Sequence, residues 1–205
     1  ETRTRRVTRT EKDGSVTVIA DKFEGRRFNG PNDVAVRSDG TVFFSDPPYG
    51  LPKRLQDPAA ELDFSGVFAV KPGEAPRALG KDFETPNGLA FSPDEKTLYV
   101  SDTERNHIRA FDVADDGTLS NSREFYTLPV SDGMKVDPAG NVWCSAKDGI
   151  HVMDAKGRRL ELIHTPGASN CAFGDADAKA LYVTAGPSVF KVRLKNPGTL
   201  PGPKR

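Results

Sequence analysis

Four stretches of this chain repeat one pattern, and that repeat constrains the fold more than any other feature. They are PNDVAVRSDGTVFFSD (31–46), PNGLAFSPDEKTLYVSD (86–102), SDGMKVDPAGNVWCSA (131–146) and SNCAFGDADAKALYVTA (169–185). Each has a polar residue at its start, a short apolar stretch, a polar turn and a second apolar stretch. Turns such as Arg37-Ser38-Asp39-Gly40 and Asp137-Pro138-Ala139-Gly140 use residues suited to tight reversal. The flanking segments are rich in Val, Phe, Leu and Tyr, which suit a pleated, half-buried surface. Each stretch therefore predicts a β-hairpin.

Further strands are expected after each hairpin. A third falls at 66–70, 108–111, 150–153 and 189–192, and a fourth near 77–79, 124–126 and 160–163. Four strands repeating every 40 to 45 residues or so mark the blade of a β-propeller, an all-β fold. Segments 6–9 and 15–19 read as strands three and four of a blade whose first half is absent. The expected organisation is one propeller domain over 1–205, with a half blade over 1–27 and blades starting near 28, 83, 130 and 167. The first full repeat also carries an insertion, PPYGLPKRLQDPAAELDF (47–64).

Composition narrows the function. Lys+Arg 29 balance Asp+Glu 29, so the chain lacks the electrostatic footprint for nucleic acid or an anionic membrane. No apolar run approaches about 18 residues, so no membrane-spanning helix is expected. The opening ETRTRRVTRT has no apolar core, so no signal peptide is visible. A soluble protein of the cytoplasm or periplasm is expected. Gly 19 and Pro 16 supply the turns that short strands need. Only Cys144 and Cys171 occur, which predicts packed thiols rather than a disulfide scaffold. Lys195 and Lys204-Arg205 read as solvated tail. Neither a glycine-rich phosphate loop nor a Gly-x-Ser-x-Gly elbow is present.

The phase of the repeat points to chemistry. In a propeller the first strand of every blade lines the central channel and runs the same way, so residues opening those strands gather at one mouth. Asn32, Asn87, Asp132 and Asn170 hold that place, and Asp46 and Asp102 return to the same mouth at the end of strand two. Such an oxygen-rich ring suits a hard cation. Singly, each Asn or Asp is equally well explained as a turn cap. Four in phase favour a shared axial site, while the turn role is favoured for Asp46 and Asp102.

The same residues carry a resemblance. Phe28-Asn29-Gly30-Pro31-Asn32-Asp33-Val34 with Ser45-Asp46-Pro47-Pro48-Tyr49-Gly50-Leu51 resembles the gluconolactonase branch of the SMP-30/gluconolactonase/luciferin-regenerating-enzyme family. Thr85 to Asp94 with Leu98 to Asp102, Ser131 to Met134, and Ala168 to Cys171 match its following blades in order. The resemblance implies a six-bladed propeller with an axial divalent metal, hydrolysing sugar lactones or related esters. It implies that Asn87 and Asp132 are metal ligands and Asp132 also the general acid/base. Asn32 would touch substrate or complete the metal shell, and Arg27 would contact substrate, although its spacing differs. Asp46, Asp102 and Asn170 would support that set from outside. Ca²⁺ is the first choice of ion, with Mg²⁺, Mn²⁺ and Zn²⁺ also compatible.

Two departures and two rivals accompany this reading. The family draws a glutamate ligand from an early Glu-Gly-Pro segment, which this sequence lacks; Glu24-Gly25-Arg26 lies at the wrong phase. Six blades of about 45 residues need about 270 residues, so the chain is expected to begin about one and a half blades late. One rival is a non-catalytic propeller that binds a partner protein. The other is a paraoxonase-like or phosphotriesterase-like hydrolase with a histidine base. His107 and His151 fall on third strands and His164 near a fourth, out of phase with the axis.

Overall fold

The computed structural model describes residues 1–200. Lys204 and Arg205, read as tail above, lie outside the described residues. The strands that follow from the repeat form three four-stranded antiparallel sheets and one three-stranded sheet, each in simple chain order. Blade 1 comprises β5 (Val34–Val36), β6 (Val42–Asp46), β7 (Ser65–Val70) and β8 (Arg77–Phe83). Blade 2 comprises β9 (Pro86–Phe91), β10 (Thr97–Asp102), β11 (His107–Val113) and β12 (Leu119–Thr127). Blade 3 comprises β13 (Met134–Val136), β14 (Val142–Ala146), β15 (Gly149–Met153) and β16 (Arg159–His164). Blade 4 comprises β17 (Ala168–Gly174), β18 (Ala180–Ala185) and β19 (Ser188–Arg193). These sheets are the blades of a β-propeller.

Ahead of blade 1, β1 (Val7–Thr10) pairs with β2 (Val16–Ala20), as the sequence suggests. A further short ladder, β3 (Lys22–Phe23) with β4 (Arg26–Arg27), was not expected, because two-residue strands leave no alternating pattern to read. The insertion after β6 folds into two short 3₁₀ turns, Pro48–Gly50 and Arg54–Gln56.

The core lies between blades rather than within one. Phe43, Val67 and Ala69 of blade 1 pack on Leu89, Leu98, Val100 and Phe111 of blade 2. Tyr99, Ile108 and Ala110 of blade 2 pack on Met134, Val142 and Cys144 of blade 3. Ile150 of blade 3 meets Cys171, Phe173 and Leu181 of blade 4. On the other side of blade 1, Phe68 lies between Phe28 and Phe44, with ring centroids 5.1 and 5.4 Å away. Each fully buried aromatic of this size contributes about 1.5–3 kcal/mol by leaving water. Every blade therefore depends on its neighbours, and the inner strands are held in register at the channel.

Candidate functional site

The segments leading into three inner strands carry Asn32, Asn87 and Asp132 to the same end of the sheets. Asn32 and Asp132 each precede their strand by two residues, and Asn87 is the second residue of β9. Asn32 Nδ2 donates to Asn87 Oδ1 at 2.7 Å, and Asn87 Nδ2 donates to Thr103 Oγ1 at 3.1 Å. The Asn87 side chain also lies beside the Asp132 carboxylate, close enough to favour its charged form. Side chains from three successive blades thus form one connected array, with Asn87 buried, Asp132 half-buried and Asn32 exposed.

Two glycines allow the blades to come this close. A Cβ on Gly88 would stand 2.3 Å from the Asp132 carbonyl oxygen, and one on Gly133 would stand 2.2 Å from Asn170 Cγ. The contact at Gly88 is with backbone and excludes any side chain there, whereas a side chain at 133 would require the exposed Asn170 carboxamide to move aside. Buried hydroxyls complete the frame. Ser101 Oγ donates to the Asp132 carbonyl at 3.1 Å, Ser145 Oγ donates to Gly133 O at 2.9 Å, and Ser45 Oγ accepts from Asp33 N at 3.1 Å.

Asn170 reaches the rim but is not bonded into the array. Its Oδ1 accepts from Cys171 N at 2.8 Å, within its own strand. It lines a cavity of about 280 Å³ together with Lys135, Cys171, Ala172, Tyr182 and Thr184. A larger cavity, about 560 Å³, lies between the hairpin turns of blades 2 and 3, lined by Pro93, Tyr99, Phe125 and Pro138 among others. It includes none of the array residues.

Asp46 and Asp102 act on backbone. Asp46 accepts from Asn29 N at 2.8 Å and Gly30 N at 2.7 Å; Asp102 accepts from Glu84 N at 2.8 Å and Thr85 N at 2.9 Å. Both are fully buried, and each fixes the segment leading to its blade's asparagine. Burial pushes the Asp46 carboxyl up to about 7, against the pull of those two N–H groups and of Arg5. The Arg5 guanidinium, itself buried, grips the same segment from the other side through Phe28 O, and reaches Ala59 O at 3.0 Å. Arg27 stands exposed on β4, its N–H donating to Glu61 Oε2 at 2.7 Å, and none of its hydrogen bonds reaches the array.

Burial also raises the pKa of Asp132. The neighbouring Asn87 side chain opposes that shift, the nearby Asp33 charge reinforces it, and the Gly133 N–H opposes it. Asp33 joins blade 1 to blade 2 by accepting from Leu89 N at 3.2 Å. Cys144 and Cys171 are free and buried, and burial pushes the Cys171 thiol up to about 12, so neither is poised as a nucleophile. His151 is paired with Asp148 at 2.8 Å on β15, and His107 and His164 lie on β11 and β16, outside the array.

The array offers one carboxylate and two carboxamides. Among the described residues no group of three or more His, Cys, Asp or Glu side chains gathers at one point. An all-oxygen set of Asn32, Asn87 and Asp132 fits a hard divalent cation in kind and disfavours a thiolate- or imidazole-seeking metal.

With this geometry in hand, likeness to known proteins is informative. The model of the SMP-30/gluconolactonase/LRE-like region matches residues 1–186. The chain belongs to this family. It is 36% identical over 197 residues to a gluconolactonase of Zymomonas mobilis, a match covering 89% of this chain and 55% of that protein. The solved structure of a gluconolactonase from Xanthomonas campestris superposes with a TM-score of 0.83 at 39% identity, covering 93% of this chain and 66% of the other. A calcium-binding protein, regucalcin from Agrobacterium tumefaciens, shares the fold at 21% identity and a TM-score of 0.69, covering 91% of this chain and 70% of the other. The chain therefore spans about half the length of the Zymomonas protein and about two thirds of the Xanthomonas one. The propeller expected from the repeat and the family expected from the motifs are both borne out.

Four participants left no mark in the sequence reading: Thr103, Asn106, Val130 and Arg5. Each acts through a contact distant in the chain, and none repeats from blade to blade. Gly88 and Gly133 follow Asn87 and Asp132 directly in the chain, and that pairing is the signal that could have pointed to them.

Proposed function

We propose that the array opens a sugar lactone by hydrolysis, with Asp132 as general acid/base and Asn32 and Asn87 as the groups that orient substrate. The observation that carries this reading is the convergence of Asn32, Asn87 and Asp132 from three blades, with the carboxyl of Asp132 raised by burial. Family membership and the gluconolactonase relatives support it. A general base works best when its pKa approaches the working pH, and burial moves Asp132 in that direction. Asp132 takes a proton from water as the water oxygen bonds to the lactone carbonyl carbon. The ring C–O bond then breaks, and Asp132 returns a proton to the leaving alkoxide, giving a hydroxy acid. Asn32, exposed at the mouth, can meet a substrate hydroxyl through its carboxamide, and Asn87 keeps Asp132 oriented.

A divalent cation held by Asn32, Asn87 and Asp132, with Ca²⁺ the first choice for oxygen donors, would supply Lewis-acid polarisation of the carbonyl when bound. Arg27, exposed on β4, would contact substrate through its guanidinium. Asp46 and Asp102 serve in this scheme by fixing backbone, and Asn170 by filling the rim beside Gly133.

The test is gluconolactone hydrolysis, followed by pH-stat with the spontaneous rate subtracted. Asp132→Asn should reduce turnover by at least about 100-fold while the circular dichroism spectrum is unchanged. Chelation should abolish turnover and a divalent salt restore it. Full turnover by Asp132→Asn would remove that residue from the mechanism, and indifference to chelation would remove the cation.

A further inference from the structure

The two residues immediately before Asp132 are held in unfavourable states. Val130 has φ 53°, a left-handed conformation that β-branched side chains rarely adopt. Its side chain is 49% exposed, so apolar burial does not compensate. Ser131 is wholly buried, and its Oγ has no hydrogen-bond partner among the described residues. Consecutive costs of this kind persist only where the surroundings over-determine the backbone, and they concentrate where geometry serves function.

What over-determines it is one turn of the neighbouring blade. Asn106, between β10 and β11 of blade 2, accepts from Val130 N through Oδ1 at 3.0 Å and from Leu128 N through its carbonyl at 3.0 Å. Thr103, at the start of the same turn, donates from Oγ1 to Ser131 O at 2.7 Å and accepts from Asn87 Nδ2 at 3.1 Å. The turn therefore grips three of the four residues leading to Asp132, Leu128, Val130 and Ser131, and also holds the Asn87 side chain.

We infer that the Thr103–Asn106 turn is a positioning element that sets Asp132 against Asn87, and that the twist at Val130 is the part of the backbone it holds. Thr103 and Asn106 are positioning residues that act through Asp132 and Asn87. The inference rests on the reading of Asp132 as the general acid/base.

Three variants test it. Asn106→Ala removes the acceptor for Val130 N, Asn106→Asp restores one, and Val130→Gly keeps the left-handed conformation without its penalty. Asn106→Ala should speed amide hydrogen exchange over residues 130–133. It should also lower kcat and Mn²⁺ affinity by about tenfold, the scale at which supporting groups act, with KM little changed. Asn106→Asp should recover most of all three. Val130→Gly should unfold at the same or higher denaturant while turning over more slowly, which a merely structural residue would not do. Unchanged exchange over 130–133 in Asn106→Ala, or Asn106→Asp behaving like Asn106→Ala, would overturn the inference. Asp132→Asn run alongside separates the two ideas. If Asp132→Asn retains turnover, the mechanism fails whatever Asn106 does. If it loses turnover while Asn106→Ala matches the parent in kcat, exchange and Mn²⁺ affinity, only the positioning role fails.

Discussion

Blades 1 and 2 prepare the rim of the channel in one way and blade 3 in another. In the first two, a buried carboxylate at the end of the second strand, Asp46 or Asp102, accepts two N–H groups from the segment leading to Asn32 or Asn87. The corresponding residue of blade 3 is Ala146, fully buried on β14. Its segment is held instead by the neutral side chains of Asn106 and Thr103 from blade 2. The charged clamp works within one blade and the neutral clamp works between two. The blade with the neutral clamp is also the blade that supplies Asp132. A buried carboxylate at 146 would add negative charge close to Asp132, whose pKa burial and Asp33 already raise. The difference teaches that one rim geometry can be reached with or without a charge, and that the charge is absent beside the half-buried carboxyl of Asp132.

The largest effect is expected from forcing the charged clamp into blade 3. Ala146→Asp should destabilise the protein by about 3–5 kcal/mol, because the new carboxylate is buried while Val130 N is already bonded to Asn106. Urea unfolding measures this, and a cost below about 1 kcal/mol would show that blade 3 can accept the clamp of its neighbours.

Removing a charged clamp comes next. Asp102→Ala leaves Glu84 N and Thr85 N without their acceptor, and should cost about 3 kcal/mol by the same measurement. A loss no larger than that of Asn106→Ala would erase the distinction between the two kinds of clamp.

The pH dependence distinguishes them further. The folded-state pKa of Asp46, about 7, lies above its ordinary value of 3.8, so folding favours its protonated form. Its contribution is complete below about pH 4 and is lost as pH rises through about 7. Asp46→Asn, neutral throughout, should remove that slope, so the stability of the parent should fall relative to the variant between those limits. Parallel stability curves would mean that the two N–H groups keep Asp46 ionised in the folded protein.

The smallest effect is expected at the neutral clamp. Asn106→Ala should cost about 1 kcal/mol, the ordinary worth of a neutral hydrogen bond, and its larger consequence should appear in turnover. A cost near that of Asp102→Ala would make Asn106 chiefly a stabilising residue.

Much of this was legible in the chain. The hairpins, the third and fourth strands and the phase of Asn32, Asn87 and Asp132 follow from a pattern that recurs four times, and periodicity is what survives in sequence. Asp46 and Asp102 were legible as turn residues, since each ends a strand that returns to the same mouth. Asn170 shows the limit of phase. It sits in register with the others, yet its side chain bonds the next residue of its own strand, because the choice of partner depends on side-chain geometry. Arg27 could be matched only with altered spacing, and it stands on the short β4, whose pairing leaves no pattern to read.

By itself, the sequence determined the repeat, the order of strands and the polar residues that open the inner ones, because alternation and turn chemistry are local properties. Only the tertiary structure decided which of those residues meet. Asn87 comes up beside Asp132 because Gly88 lets its strand close on the backbone of residues 132–134. The segment leading to Asp132 is held by a turn of another blade through Asn106 and Thr103. Such contacts join segments far apart in the chain, and they exist only once the interblade cores have packed.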